Sequence, residues 1–157
     1  MDKHAKILVV DDDENIRRTT KKILEKNGYF VDLAATGEEA IQKTMKTAYN
    51  VALLDIRLPD IEGVELLKLI KDTVPKMRKI MVTGYPSMQN AIAAINKNAD
   101  AYLIKPVTVE KLLNCLDEQL RLQENERKFS EQKVSEFIET QVRETPIASK
   151  TRSVPKF

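Results

Sequence analysis

Short apolar runs recur along the chain, and each stops at a polar or charged residue. They are Lys6 to Val10, Tyr29 to Ala34, Val51 to Leu54, Lys79 to Val82 and Ala101 to Ile104. Runs this short and this continuous are the pattern of strands covered on both faces. Between them the apolar residues change to helical spacing. Ile16, Thr20, Ile23 and Leu24 form one stripe over roughly 14–26, with Gly28 as the stop. Thr36-Gly-Glu-Glu39 reads as a capping box opening a second helix, with Ala40, Ile41 and Met45 inward. Val64, Leu66, Leu67 and Ile70 define a third helix over 63–73, which Pro75 helps to end, and a short fourth follows at about 87–97. Leu112, Leu113, Leu116 and Leu120 belong to a last helix opening near Thr108. Five strand–helix alternations predict an α/β fold: a doubly wound, five-stranded parallel sheet with helices on both faces. Five strands favour the flavodoxin-like order 2-1-3-4-5, which sets the first and third strands side by side at the switch point.

Past Leu120 the pattern weakens. Residues 121–144 contain no Gly or Pro and many helix formers, so the last helix is expected to continue, over about 50 Å in all. Heptad steps from Leu113 pass through Gln123, Arg127, Ser130 and Gln141, a seam too polar for a strong coiled coil. Val134, Phe137, Ile138 and Val142 make a small apolar patch, suited to a partner or a second copy; a solvated, fraying helix is the plainer alternative. Thr145 to Phe157, with Pro146 and Pro155, reads as a disordered tail. The organisation expected is a domain over 1–120, a helical extension over 121–144 and a tail over 145–157.

Composition narrows the function. Lys and Arg number 26 against 24 Asp and Glu, a net charge of +2. Charges so balanced argue against direct nucleic-acid binding, which needs basic clustering. Cys115 is the single cysteine, so there is no intrachain disulfide and no cysteine zinc cage, and a reducing, cytoplasmic setting is expected. No signal-peptide core and no apolar run of membrane length is present, so no membrane association is expected.

The chemistry lies at the strand ends: Asp11, Asp12 and Asp13 after the first, Asp55 after the third, Thr83 after the fourth and Lys105 after the fifth. Ligands of open parallel sheets bind at such ends. Clustered carboxylates repel one another, and a hard divalent cation with oxygen ligands, Mg²⁺ above all, relieves that. Lys105 adds a fixed positive charge for a phosphoryl oxygen, and Thr83 a hydroxyl donor. Together they describe a site for moving a phosphoryl group to or from a carboxylate. Glycines 28, 37, 63 and 84 are isolated, so no phosphate loop exists and the nucleotide-binding readings fail. Singly, each residue has a plainer use, as loop acid, helix cap or surface lysine.

Four segments carry a resemblance: Ile7-Leu-Val-Val-Asp-Asp-Asp13, Leu54-Asp-Ile-Arg-Leu-Pro-Asp60, Val82-Thr-Gly-Tyr85 and Tyr102-Leu-Ile-Lys-Pro106. In this order they resemble the receiver domain of two-component response regulators, of the chemotaxis type, over roughly residues 5–120. The resemblance implies Asp55 as phosphoacceptor and Mg²⁺ held by Asp11, Asp12, Asp55 and the Arg57 backbone carbonyl. It implies Thr83 as the switch hydroxyl, Lys105 as the phosphate-pairing lysine and Tyr102 as a rotameric switch. Asp13 falls where the family often has a third acid that is not a direct ligand. The Lys105–Pro106 bond is cis in the family. Without the resemblance, Tyr102 reads more simply as a half-buried packing residue.

No output domain fits in the 37 residues after Leu120, so the expectation is a stand-alone receiver, not an enzyme beyond its own phosphorylation and dephosphorylation. Its expected partners are a histidine kinase or phosphotransfer protein, an unknown downstream protein, and a second copy through the fourth helix–fifth strand–fifth helix face or the extension. Two other readings stand. A haloacid-dehalogenase-type phosphatase would use Asp11 and leave Asp55 idle, and it lacks a second acidic pair after Lys105. A scaffold without phosphorylation would leave the acidic pocket unexplained.

Overall fold

The structure is a computed structural model describing residues 4–71, 73, 75–84 and 87–144. The Tyr85-Pro86 pair, the segment 145–157 and the Val142 side chain lie outside the described residues. Strands β1 (Lys6–Val10), β2 (Phe30–Ala34), β3 (Val51–Asp55), β4 (Arg78–Thr83) and β5 (Ala101–Ile104) alternate with helices. The helices are α1 (Glu14–Lys26), α2 (Gly37–Lys46), α3 (Gly63–Leu69), α4 (Met88–Asn96) and α5 (Val109–Glu144). All the strand pairings are parallel, and the sheet order is β2-β1-β3-β4-β5, as the alternation predicts.

Strand parity builds two core layers. Ile7, Val9, Val51, Leu53 and Ile80 point to one face and pack with Leu24 of α1 and Leu112, Leu116 and Leu120 of α5. Leu8, Val10, Ala52, Leu54 and Met81 point to the other and meet Ala40 of α2, Val64, Leu66 and Leu67 of α3 and Ala94 of α4. With both faces covered, β1 beyond Lys6 and β3 have no polar side to show, hence their continuous apolar runs.

Local chemistry sets the element ends. Asp13 caps α1, its carboxylate accepting from the Asn15 and Ile16 amides at 2.9 and 3.1 Å. Gly28 ends the helix with φ 93°, a left-handed conformation that costs glycine little. Thr36 caps α2 by accepting from the Glu39 amide, while the Glu39 carboxylate reaches the Ala35 amide rather than that of Thr36, a capping box displaced by one residue. Ser87 caps α4, and Thr108 accepts from the Lys111 amide at the start of α5.

Two expectations need correction. Met45 is 74% exposed, not inward. It lies five residues beyond Ala40, about 140° round the helix, and Ala40 fixes which side is buried. The third helix stops at Leu69 rather than Thr73. Ile70 turns to φ −78°, ψ 126°, an extended conformation in which its side chain stays in the core. The last helix, by contrast, runs unbroken to Glu144 as expected. The described residues fall into two units, divided after Gln123.

Two glutamines give α5 a polar footing that the apolar spacing does not reveal. The Gln123 amide nitrogen donates to the carbonyls of Asn50 and Lys76, at 3.0 and 2.8 Å, and its oxygen accepts from the Asn50 side chain. The Gln119 oxygen accepts from Arg78 Nε, and Asp100 takes the Lys79 amide and faces Lys76 and Arg78.

Candidate phosphoacceptor site

Pairing of Val10 with Leu54 places the ends of β1 and β3 side by side, so Asp11 and Asp55 emerge as neighbours. Pairing of Thr83 with Ile104 does the same for β4 and β5, and the Lys105 amide donates to the Thr83 carbonyl at 2.7 Å. Lys105 then reaches back across the sheet edge. Its ammonium donates to Asp11 Oδ2 at 2.7 Å and to Asp55 Oδ2 at 3.3 Å. The Lys105–Pro106 peptide bond is cis.

Both carboxylates are nearly enclosed, Asp11 at 4% exposure and Asp55 at 7%, while Asp12 is exposed. The Asp13 amide donates to Asp11 Oδ1, and the Arg17 guanidinium donates to the Asp11 carbonyl at 2.7 Å. The Arg57 amide holds Asp55 Oδ1 at 3.3 Å, leaving Oδ2 to Lys105. Burial, and then the negative charge of Asp11, push the Asp55 carboxyl above the ordinary carboxylate range against the pull of Lys105. Burial disfavours the charged Lys105, but its hydrogen bond to Asp11 and the charges of Asp11 and Asp55 outweigh this, and its pKa rises.

Asp11, Asp12 and Asp55 each offer a carboxylate oxygen, all within 4.8 Å of one another. An all-oxygen donor set carrying more negative charge than one lysine offsets fits a small hard dication. Asp13 is engaged in capping α1 and stands outside that group. Thr83 is wholly buried at the end of β4. Tyr102 is half-buried against the α2–α3–α4 core layer, its hydroxyl enclosed and without a hydrogen-bond partner among the described residues. From the site an apolar groove of about 530 Å³ runs between Ile16, Thr20 and Ile23 of α1 and Val107, Val109 and Leu112.

Spacing did not point to Arg17, Asp60 or Gly63. A Cβ on Gly63 would stand 2.0 Å from the Asp55 carbonyl oxygen, and the Gly63 amide donates to the Ile56 carbonyl at 2.6 Å, so only glycine allows α3 to begin this close to Asp55. In the sequence Gly63 is one of four isolated glycines, and nothing there signals its contact with Asp55.

A lysine-bridged carboxylate pair beside a third aspartate, at the switch point of a five-stranded doubly wound sheet, defines a small open-sheet α/β domain with its polar cluster at the strand ends. Residues 7–117 match the response regulator receiver domain, and the chain belongs to that family. The transcriptional regulatory protein ZraR of Klebsiella oxytoca is 38% identical over 114 residues, which cover 73% of this chain and 26% of ZraR. The response regulator ArlR of Staphylococcus saprophyticus is 33% identical over 121 residues, 76% of this chain and 54% of ArlR. The chain thus spans about a quarter to about half the length of these curated relatives. A CheY-like response regulator receiver domain protein from Methanospirillum hungatei superposes with a TM-score of 0.76 at 48% identity, covering 78% of this chain and 98% of that one. Family membership leaves the dehalogenase-type reading unfavoured. No helix among the described residues is long and apolar enough to cross a membrane.

Proposed function

We propose that Asp55 accepts a phosphoryl group from a histidine kinase or phosphotransfer protein. The observation that carries this reading is the Lys105 ammonium set between Asp11 and Asp55 at 2.7 and 3.3 Å. An Asp55 oxygen attacks phosphorus, the bond from phosphorus to the donor's imidazole nitrogen breaks, and its electron pair stays on that nitrogen. The product is an aspartyl phosphate. In this reading Lys105 pairs with a phosphoryl oxygen, which draws it from Asp55, and Thr83 donates its hydroxyl to another. Asp11, Asp12, Asp55 and the Arg57 carbonyl would hold Mg²⁺, which supplies neutralisation of the charge on the transferred group. The chain's own catalysis is confined to its phosphorylation and dephosphorylation.

The phosphorylated form biases a two-state equilibrium through Thr83 and Tyr102. Its readout is protein binding on the face of α4, β5 and α5, where Ile92, Ile95, Ile104 and Val109 are exposed. The α5 segment beyond Gln123 exposes Phe129, Val134, Phe137 and Ile138 and serves contact with a second copy or another protein. Treating the chain and its Asp55→Asn variant with acetyl phosphate and Mg²⁺, followed by mass spectrometry, tests the acceptor. The adduct is expected on Asp55 of the parent and absent from the variant; equal labelling of both excludes Asp55.

A further inference from the structure

The loop that carries Asp55 into α3 is tied down at both ends. At its base the Gly63 amide bonds the Ile56 carbonyl, and Arg57 pairs with Glu62 in an isolated antiparallel bridge. At its tip the Asp60 carboxylate accepts two amides from another element: Gly37 to Oδ1 at 2.8 Å and Glu38 to Oδ2 at 2.9 Å. These are the first two amides of α2, and Thr36 caps the third, that of Glu39. Asp60 therefore fills the part of the helix start that the chain's own cap leaves open. The tip also packs there, since a Cβ on Gly37 would lie 2.1 Å from Ile61 Cγ2. α2 is itself fixed to the core through Ala40.

We propose that Asp60 is a positioning residue for the site: by clamping the loop tip to α2 it holds Arg57, and through Arg57 the Asp55 carboxylate, in the geometry that binds Mg²⁺. The inference rests on the phosphoacceptor reading. Arg57 stands at the base of the loop beside Glu62, its amide on Asp55 Oδ1, and its carbonyl is the backbone oxygen that reading gives to the metal. A freed tip lets this short segment sample other conformations, and the cost falls on ligand geometry rather than on the core.

The test compares the full chain with its Asp60→Ala and Asp60→Asn variants. Mg²⁺ binding is measured by calorimetry on the unphosphorylated proteins, beside melting curves in chelator. Asp60→Ala is expected to weaken Mg²⁺ binding by about tenfold. Asp60→Asn, which keeps an acceptor oxygen for one of the α2 amides, is expected to lose about threefold. The Mg²⁺ concentration giving half-maximal labelling by acetyl phosphate should move by the same factors, with the rate at saturating Mg²⁺ little changed. Equal Mg²⁺ constants in every folded variant, whatever their melting points, overturn the inference and leave Asp60 a helix cap. A parent chain that takes no label on Asp55 overturns the phosphoacceptor reading and this inference with it.

Discussion

Asp55 occupies an environment that opposes its charge, and this makes it the residue with the clearest pH signature. Its folded pKa lies above its unfolded value, through burial and through Asp11. Between those two values the folded protein keeps a proton that the unfolded chain has lost. Stability therefore falls as pH rises through that window, and the loss is complete above it. Asp55→Asn removes the charge while Lys105 keeps Asp11 at 2.7 Å. The variant should melt above the parent at neutral pH, and the gap should close as pH is lowered through the carboxylate range. Scanning calorimetry across pH checks this, and a gap that widens on acidification contradicts it. At this scale the sequence was legible in placing Asp11, Asp12, Asp55, Thr83 and Lys105 at strand ends, where residue type and strand boundary coincide. It was silent on Asp60, whose partners are backbone amides 22 and 23 residues away. Backbone amides carry no sequence signal.

Among the elements, α5 shows where apolar spacing misleads. Gln123 read as a polar interruption of a heptad seam, yet it is 6% exposed and bonded to two main-chain carbonyls and one side chain. Buried amides satisfied in this way become costly only when one partner is removed. Gln123→Ala should lower stability by about 1–3 kcal/mol, seen as a reduced urea midpoint at unchanged slope. The opposite error is Met45, apolar but outside, because helical phase and not hydrophobicity decides which residues face the sheet. Strand existence and order were legible because parallel strands buried on both faces leave little freedom in composition. Helix ends were less so: the end of α3 depends on a conformational change at Ile70 that burial imposes.

For the whole molecule, Mg²⁺ bound as proposed at the acidic site would couple metal binding to folding. A ligand that binds only the folded state stabilises it by mass action, by about 2.7 kcal/mol at a hundred times its dissociation constant. Millimolar Mg²⁺ should raise the melting temperature, and Asp12→Ala should blunt the rise. An unaltered melt in both proteins would exclude a metal site built on these carboxylates. The placement of Gln123 also sets where a shortened chain should end. A protein ending at Gln123 should fold and take label from acetyl phosphate at close to the full-length rate, while losing any dimer that light scattering finds in the full chain. If both lengths are monomers, the exposed Phe129, Val134, Phe137 and Ile138 do not mediate self-association.

The unbroken ladder of α5 hides a discontinuity in how firmly its amides are held. Up to Gln123 the helix is fastened by leucines in a core and by glutamines on main-chain carbonyls. From Glu124 to Gln141 its side chains are exposed, with Arg127 alone half-covered, and bonds there join neighbours a turn apart, among them Arg127 with Glu124 and Glu131 and Gln132 with Glu136. Such pairs contribute only about 0.3–0.5 kcal/mol each and weaken as salt is added. In deuterated water, protection should therefore drop sharply just past Gln123. Amides before it should open only with the domain, and those after it by local fraying, faster as ionic strength rises. A protection profile that stays level through Gln141 would show that something holds the distal half of the helix as firmly as the core holds the first.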